Sequence, residues 1–370
     1  MSDFIFSADS HVREPYDLFT KAMPEHLQQY AINAVKQEKS IDTMIGDTLC
    51  IRVPLDWGKD GGQVTDERYG SNKIDLRIID MDRDGIDAEL IFPSLGLVNY
   101  LIEDAEAELI SARAYNDWCI NHFREHLDRF VPAAIMPVRD LGNTVSEMQR
   151  AIDMGYTAVM LPVVPCDGIA LYNMPDWDPV FALSDKTKTP IIMHTGTGKV
   201  NIRAARGPGG ALINYTRQME DATNAIMYLV GGGVLDRNPG AKVVFAECGA
   251  SWLVGMGERM DEVYHGHEHF IQPKLSRVPS QIVREQIVCA FQNDKNCVVN
   301  RKAMGLETMI WASDYPHKEG TFPHSQRVIE ELFKDVGVTP EERAAILGGT
   351  AAKLFKLKNL RLAARLFAAE

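Results

Sequence analysis

Eight short apolar runs, separated by longer segments with apolar residues three and four apart, constrain this chain more than any other feature. The runs are Phe4 to Asp9, Ala88 to Pro93, Val131 to Pro137, Ala158 to Pro162, Pro190 to His194, Lys242 to Glu247, Ile287 to Phe291 and Met309 to Ser313. Between them lie segments such as AEAELISARAYNDWCINHFREHLDRF and LGNTVSEMQRAIDMG, which carry the helical period. Buried strands alternating with helices indicate a parallel sheet with crossover connections, and eight such units predict an α/β fold, a (β/α)8 TIM barrel. A doubly wound open sheet satisfies the same count, because eight strands need not close.

Residues 20–75 interrupt the alternation with a polar, Gly-rich passage containing TLCIRVPLDW, read as an insertion after the first strand, a small hairpin over the barrel mouth. Residues 340–370 read as a C-terminal helical extension. The whole of 1–370 is expected to be one domain, since α/β barrels run well past 200 residues.

A formal net charge of -12 argues against a duplex nucleic-acid partner, which requires clustered Lys and Arg to neutralise phosphates. No apolar run approaches the ~20 residues of a membrane span, and MSDFIFSADSH lacks the basic and apolar regions of a signal peptide. A cytoplasmic protein with no membrane partner is expected. The six cysteines show no CxxC spacing and are expected to be reduced thiols, mostly buried.

In such a barrel the chemistry gathers where the strands end. The first strand delivers Asp9 and His11, two apart in SADSHVREP, so that both side chains fall on one side. The fifth delivers His194 (PIIMHTGTG), the sixth Glu247 (AKVVFAECGASW) and the eighth Asp314 (TMIWASDYPH). All are nitrogen or oxygen donors competent to bind a metal.

The pattern ADSHVREP, MHTGTG, FAECGASW and WASDYPHKEGTFPHS resembles the amidohydrolase-related metal enzymes of the branch containing aminocarboxymuconate semialdehyde decarboxylase and γ-resorcylate decarboxylase. The resemblance runs over nearly the whole chain, and SDYPH is its most specific part. It implies metal ligands at Asp9, His11, His194 and Asp314. Two departures stand out: Asp-x-His replaces the HxH pair of the wider superfamily, and Glu247 stands where many relatives have His. The fourth strand (TAVMLPVV) offers no lysine for a bridging carbamate, which favours one divalent ion over two. Imidazole and carboxylate ligands suit Zn²⁺, placed first, and equally Mn²⁺ or Fe²⁺.

Asp314 is a candidate ligand and proton carrier, Glu247 a further ligand or an acid/base, and His317 a substrate contact or proton donor. Arg203 and Arg206 in NIRAARGPGG are candidate substrate-binding residues for their bidentate grip on a carboxylate, with Arg13 and Trp252 as further candidates; the Arg13-Glu14-Pro15 run is expected either to orient the first ligands or to shape the turn. HGHEH, residues 265–269, looks like a metal tract but follows a helix, away from any strand end, and is read as surface or interface.

The function expected is non-oxidative decarboxylation of a small carboxylated aromatic or unsaturated substrate. Metal-assisted hydrolysis of an amide, lactone or activated carbon–carbon bond is the alternative, and a non-catalytic binding barrel the remote one. A homodimer or higher homo-oligomer is expected, with NLRLAARLFAA either at its interface or packed on its own barrel.

Overall fold

The computed structural model describes residues 3–54, 69–199 and 205–357. Its strands are β1 (Phe6–Val12), β2 (Ile32–Lys36), β3 (Ser40–Ile45), β4 (Thr48–Pro54), β5 (Ala88–Pro93), β6 (Phe130–Pro132), β7 (Ala134–Ile135), β8 (Val159–Val164), β9 (Ile191–Gly198), β10 (Val243–Ala246), β11 (Ile287–Phe291) and β12 (Met309–Trp311). One parallel series runs β1-β5-β6, a second β7-β8-β9-β10-β11-β12. β6 and β7 are one strand divided at Ala133, where the backbone bonds pass from one neighbour to the other: Ala133 N–H donates to Ile91 O, Ala134 N–H to Ala158 O.

The second seam, between β12 and β1, is stitched by Asp314 N–H to Asp9 O (2.9 Å) and His11 N–H to Tyr315 O (2.6 Å). With both edges paired the sheet closes into the (β/α)8 barrel, and the open-sheet alternative fails.

Alternation along each strand separates two apolar layers. Phe6, Leu90, Val131, Met160, Ile192, Val244, Val288 and Ile310 fill the barrel. Ile91, Val159, Met193, Phe245, Cys289 and Trp311 face outward and pack under the helices. Full burial of each such side chain contributes roughly 1.5–3 kcal/mol. The helices start where the sequence supplies caps: Asp104 accepts from the backbone of Glu106 and Ala107 before Ala105–Phe123, and Asp140 from Gly142 and Asn143 before Leu141–Asp153.

Within the 20–75 passage, β2, β3 and β4 form a three-stranded antiparallel meander in place of the single hairpin expected. Ile32 and Ile45 anchor it to the outer core, and Asp42 pairs with Arg52 across neighbouring strands at 2.5 Å. Residues 55–68 of that passage lie outside the described residues.

The C-terminal segment turns through Pro340–Ala344 and Thr350–Leu354, and Phe355 stacks on Phe6 with ring centroids 5.6 Å apart, sealing the N-terminal end of the barrel. Gly348 permits this, because a Cβ there would meet Phe4 at 2.6 Å. The NLRLAARLFAA segment lies outside the described residues. All six cysteines are free and five are buried. Among the described residues no helix is long and apolar enough to cross a membrane.

Candidate metal centre

At the opposite end of the barrel the interior turns polar. Strand β1 carries a bulge between Ser7 and Ser10, after which His11 lies beside inward-facing Phe92. The extra residue shifts the alternation, so that Asp9 and His11 follow inward-facing Phe6 and Ala8 onto the same side. Ser7 holds the bulge: its hydroxyl donates to Asp9 O (2.8 Å) and accepts from Ser313 N–H (2.9 Å), which ties β1 to the strand bearing Asp314.

The donor atoms of Asp9, His11 and His194 all lie within 4.8 Å of one another. His11 Nε2 is 3.4 Å from Asp9 Oδ1 and 3.7 Å from Asp314 Oδ1. His194 Nε2 is 3.6 Å from Asp9 Oδ1 and 3.8 Å from Glu247 Oε2. Ligands on one tetrahedral ion at metal distances of about 2.1 Å stand about 3.4 Å apart, so these separations fit a shared cation with small adjustments.

Asp9 Oδ1, His11 Nε2, His194 Nε2 and Asp314 Oδ2 are buried with no hydrogen-bond partner among the described residues. Orphaned atoms of this kind are costly to bury unless something they bind joins them. The rings are also set for ligation: His11 Nδ1–H donates to Pro93 O (2.9 Å) and His194 Nδ1–H to Thr195 O (2.7 Å). Each Nε2 is therefore left toward the common centre.

Two of the carboxylates reach the site through uncommon backbone. Glu247 has φ 61° and Asp314 φ 56°, left-handed values that side-chain-bearing residues rarely adopt. β10 points Val244 and Ala246 inward, so the next residue would face out; the left-handed turn brings Glu247 back to His194. Thr195 Oγ1 donates to Glu247 Oε2 at 3.1 Å, and Glu319 completes a carboxylate group with Glu247 and Asp314 whose donor atoms lie within 4.8 Å.

These charges set one another's protonation. Burial opposes charge on His194, but the carboxylates of Asp9 and Glu247 outweigh it and lift its pKa to about 9. Burial would raise Asp9, yet His194 and His11 hold it well below the usual carboxylate range. Burial and neighbouring His317 push His11 down to about 4. Burial and Asp314 raise Glu247 to about 8, and burial raises Asp314 to about 6. His317 resists burial because Asp314, 2.8 Å from its Nδ1, and Glu247 lift it to about 10.

Of the candidate substrate residues, Arg203 lies outside the described residues and Arg206 is exposed on the loop entering helix Gly210–Gly231. Arg13 lies over the Tyr16 ring, 5.4 Å from its centroid. Trp252 is half-buried, and its indole N–H donates to Cys248 O (2.9 Å). His265, His267 and His269 are exposed, and no group of three converging donors among the described residues includes them.

Support for the ligands comes from residues outside the strand ends, of which Glu14 is expected and Arg77 is not. Buried Arg77 in helix Ile74–Asp84 donates to His11 O (2.7 Å) and pairs with Glu89 (2.6 Å). Glu14 accepts from the backbone of Ser94, Leu95 and Gly96, fixing the loop after β5 beside the first ligand pair. Glu89 was visible in principle, since a charge inside AELIF requires a buried partner.

A family model described as amidohydrolase matches residues 15–357. The 2-amino-3-carboxymuconate-6-semialdehyde decarboxylase of Dictyostelium discoideum is 24% identical over 291 residues, 76% of this chain and 76% of the relative. An amidohydrolase structure from Mycobacterium avium subsp. paratuberculosis K-10 superposes with a TM-score of 0.79 at 19% identity, covering 96% of this chain and 100% of that one. A dihydroxybenzoic acid decarboxylase from Polaromonas sp. JS666, solved with manganese and the inhibitor 2-nitroresorcinol, gives 0.68 at 16% identity over 97% and 99% of the two chains. The structural likenesses show the fold.

Proposed function

The chain belongs to the amidohydrolase family, and from that premise we propose that it is a metal-dependent carboxy-lyase acting without oxidation on a small carboxylated aromatic or unsaturated acid. The observation that carries this reading is the set of buried, partnerless donor atoms of Asp9, His11, His194 and Asp314 at the barrel's C-terminal rim. These four residues would hold one divalent ion, Zn²⁺ first and Mn²⁺ or Fe²⁺ next, which when bound supplies Lewis-acid polarisation. Similarity to decarboxylases, one of them a manganese protein, supports the choice of reaction.

Around that centre the chain's own residues manage protons and orientation. Burial and neighbouring Asp314 disfavour charge on Glu247, and its place 3.8 Å from His194 Nε2 makes it the acid assigned to the reacting carbon. The bond from that carbon to the carboxyl group breaks, carbon dioxide departs, and the electron pair left behind takes the Glu247 proton; solvent then restores it. His317, paired to Asp314 at 2.8 Å, fixes that carboxylate and presents positive charge to an acidic substrate. Phe92, whose ring lies 4.9 Å from that of His194, supplies an apolar wall. Arg206 and Arg203, nearby in sequence, are the proposed receivers of further substrate oxygens.

Hydrolysis is the second reading, favoured by the description of the matching family. Incubating the metal-loaded protein in water labelled with both deuterium and ¹⁸O, with ring-carboxylated phenols and in parallel with aryl amides and lactones, separates the two. Carbon dioxide release with deuterium at the vacated carbon supports the carboxy-lyase; labelled water oxygen in the product without carbon dioxide supports the hydrolase.

A further inference from the structure

We propose that Gln292, at the end of β11, reads a second oxygen acceptor on the substrate and thereby sets specificity; this rests on the carboxy-lyase reading of the same site. Strand β11 lies between β10 and β12. Both neighbours send a charged residue into the site, Glu247 after β10 and Asp314 after β12. Adjacent strands are only about 4.8 Å apart, so the inward residue that directly follows β11 borders the same space.

That residue is Gln292. Val288 and Ala290 face the barrel interior and Phe291 faces out, so the alternation turns residue 292 inward. Ala290 pairs with Ile310 and Phe291 with Trp311, which sets Gln292 beside Ala312, one inward step before Asp314. Its Nε2 is buried with no hydrogen-bond partner among the described residues, as are the ligand atoms themselves.

A donor that is uncharged and inside the mouth suits an uncharged or partly charged oxygen: a hydroxyl, phenolate or carbonyl adjacent to the carboxylate that leaves. Around the centre stand imidazoles, carboxylates and the Thr195 hydroxyl, which is already committed to Glu247. Gln292 is thus the neutral donor placed to tell an acid with a second flanking oxygen from one without it. Pocket groups of this type discriminate by being left unpaired when the substrate lacks the matching atom.

The test is a cycle of two proteins and two ligands, measured by calorimetric binding to metal-loaded protein. The probes are 2,6-dihydroxybenzoate and 2-hydroxybenzoate, which share one hydroxyl beside the carboxylate and differ in the second. Wild type is expected to prefer the dihydroxy acid by about tenfold, the size of one well-made hydrogen bond. Gln292→Met, of similar shape without a donor, is expected to bring that ratio close to one.

Equal preference in wild type and Gln292→Met overturns the proposal, as does failure of wild type to distinguish the two acids or to bind either. A change in metal content or melting temperature with the ratio intact also overturns it, since that marks a purely structural side chain. If the ratio collapses while neither acid loses carbon dioxide, Gln292 reads the ligand and only the reaction assigned to the site is wrong.

Discussion

The two ends of this barrel are equally buried and chemically opposite. At the N-terminal end Phe4, Phe6, Ala351, Ala352 and Phe355 close the interior with apolar contacts. At the C-terminal rim the buried groups include Asp9, His11, His194 and Asp314, all 2% exposed or less, with partnerless atoms facing a common centre. The bulge in β1 and the left-handed turns at Glu247 and Asp314 also belong to the rim. One end is organised to be stable, whereas the other carries strain and unsatisfied polarity that only a bound cation and substrate resolve.

The contrast can be broken by substitutions that ought to affect one end only. His194→Ala should abolish retained metal and lower turnover by about a thousandfold or more, about 4 kcal/mol of transition-state stabilisation, with metal read by elemental analysis. The metal-free variant should lose less stability than Phe6→Ala does, the loss being that of the buried His194–Asp9 charge pair. Phe6→Ala should do the reverse: about 3–5 kcal/mol lost in denaturant unfolding, with one ion per chain retained. Equal stability loss in both variants would erase the distinction between the ends.

Acidity sharpens it. Without metal, His194 titrates near 9 instead of 6.5 and Glu247 near 8 instead of 4.5. Each binds its proton more tightly folded than unfolded, so the stability each contributes is present at low pH and lost as pH rises through those windows. The metal-free protein should therefore melt progressively lower between pH 6.5 and 9. Metal uptake displaces the His194 proton, so apparent affinity and the melting-temperature gain on adding metal should grow over that range. A metal affinity flat in pH would contradict the ligand assignment.

The smallest effect is expected from the most conspicuous motif. Replacing His265, His267 and His269 together by alanine should leave bound metal and turnover within about twofold, because exposed substitutions remote from the site rarely exceed ±0.5 kcal/mol. Stoichiometric loss of metal on that change would move the centre to the surface.

What the sequence disclosed follows from the same geometry. Parallel strands finish at one rim, so polar residues ending apolar runs are legible as neighbours even when Asp9 and Asp314 stand three hundred positions apart, and the eight-run count made the barrel readable too. Left-handed backbone at Glu247 was not, because nothing in FAECGASW distinguishes an outward residue from one turned back by φ. Arg77 was missed because it acts from a helix, through the carbonyl of His11, and strand-end reading looks only at side chains. Gln292 escaped because the seventh run was ended at its last apolar residue, Phe291, one position short of the rim. The meander of β2, β3 and β4 was legible only as a hairpin, since its strands INAVK, SIDTMI and TLCIRVP mix polar with apolar residues where the barrel strands run apolar.

The most direct measurement is an anomalous-diffraction crystal structure of the metal-loaded protein. A single peak bound by Asp9, His11, His194 and Asp314 together is the predicted result. A peak elsewhere, or those four side chains directed to separate places with metal in excess, would contradict the account.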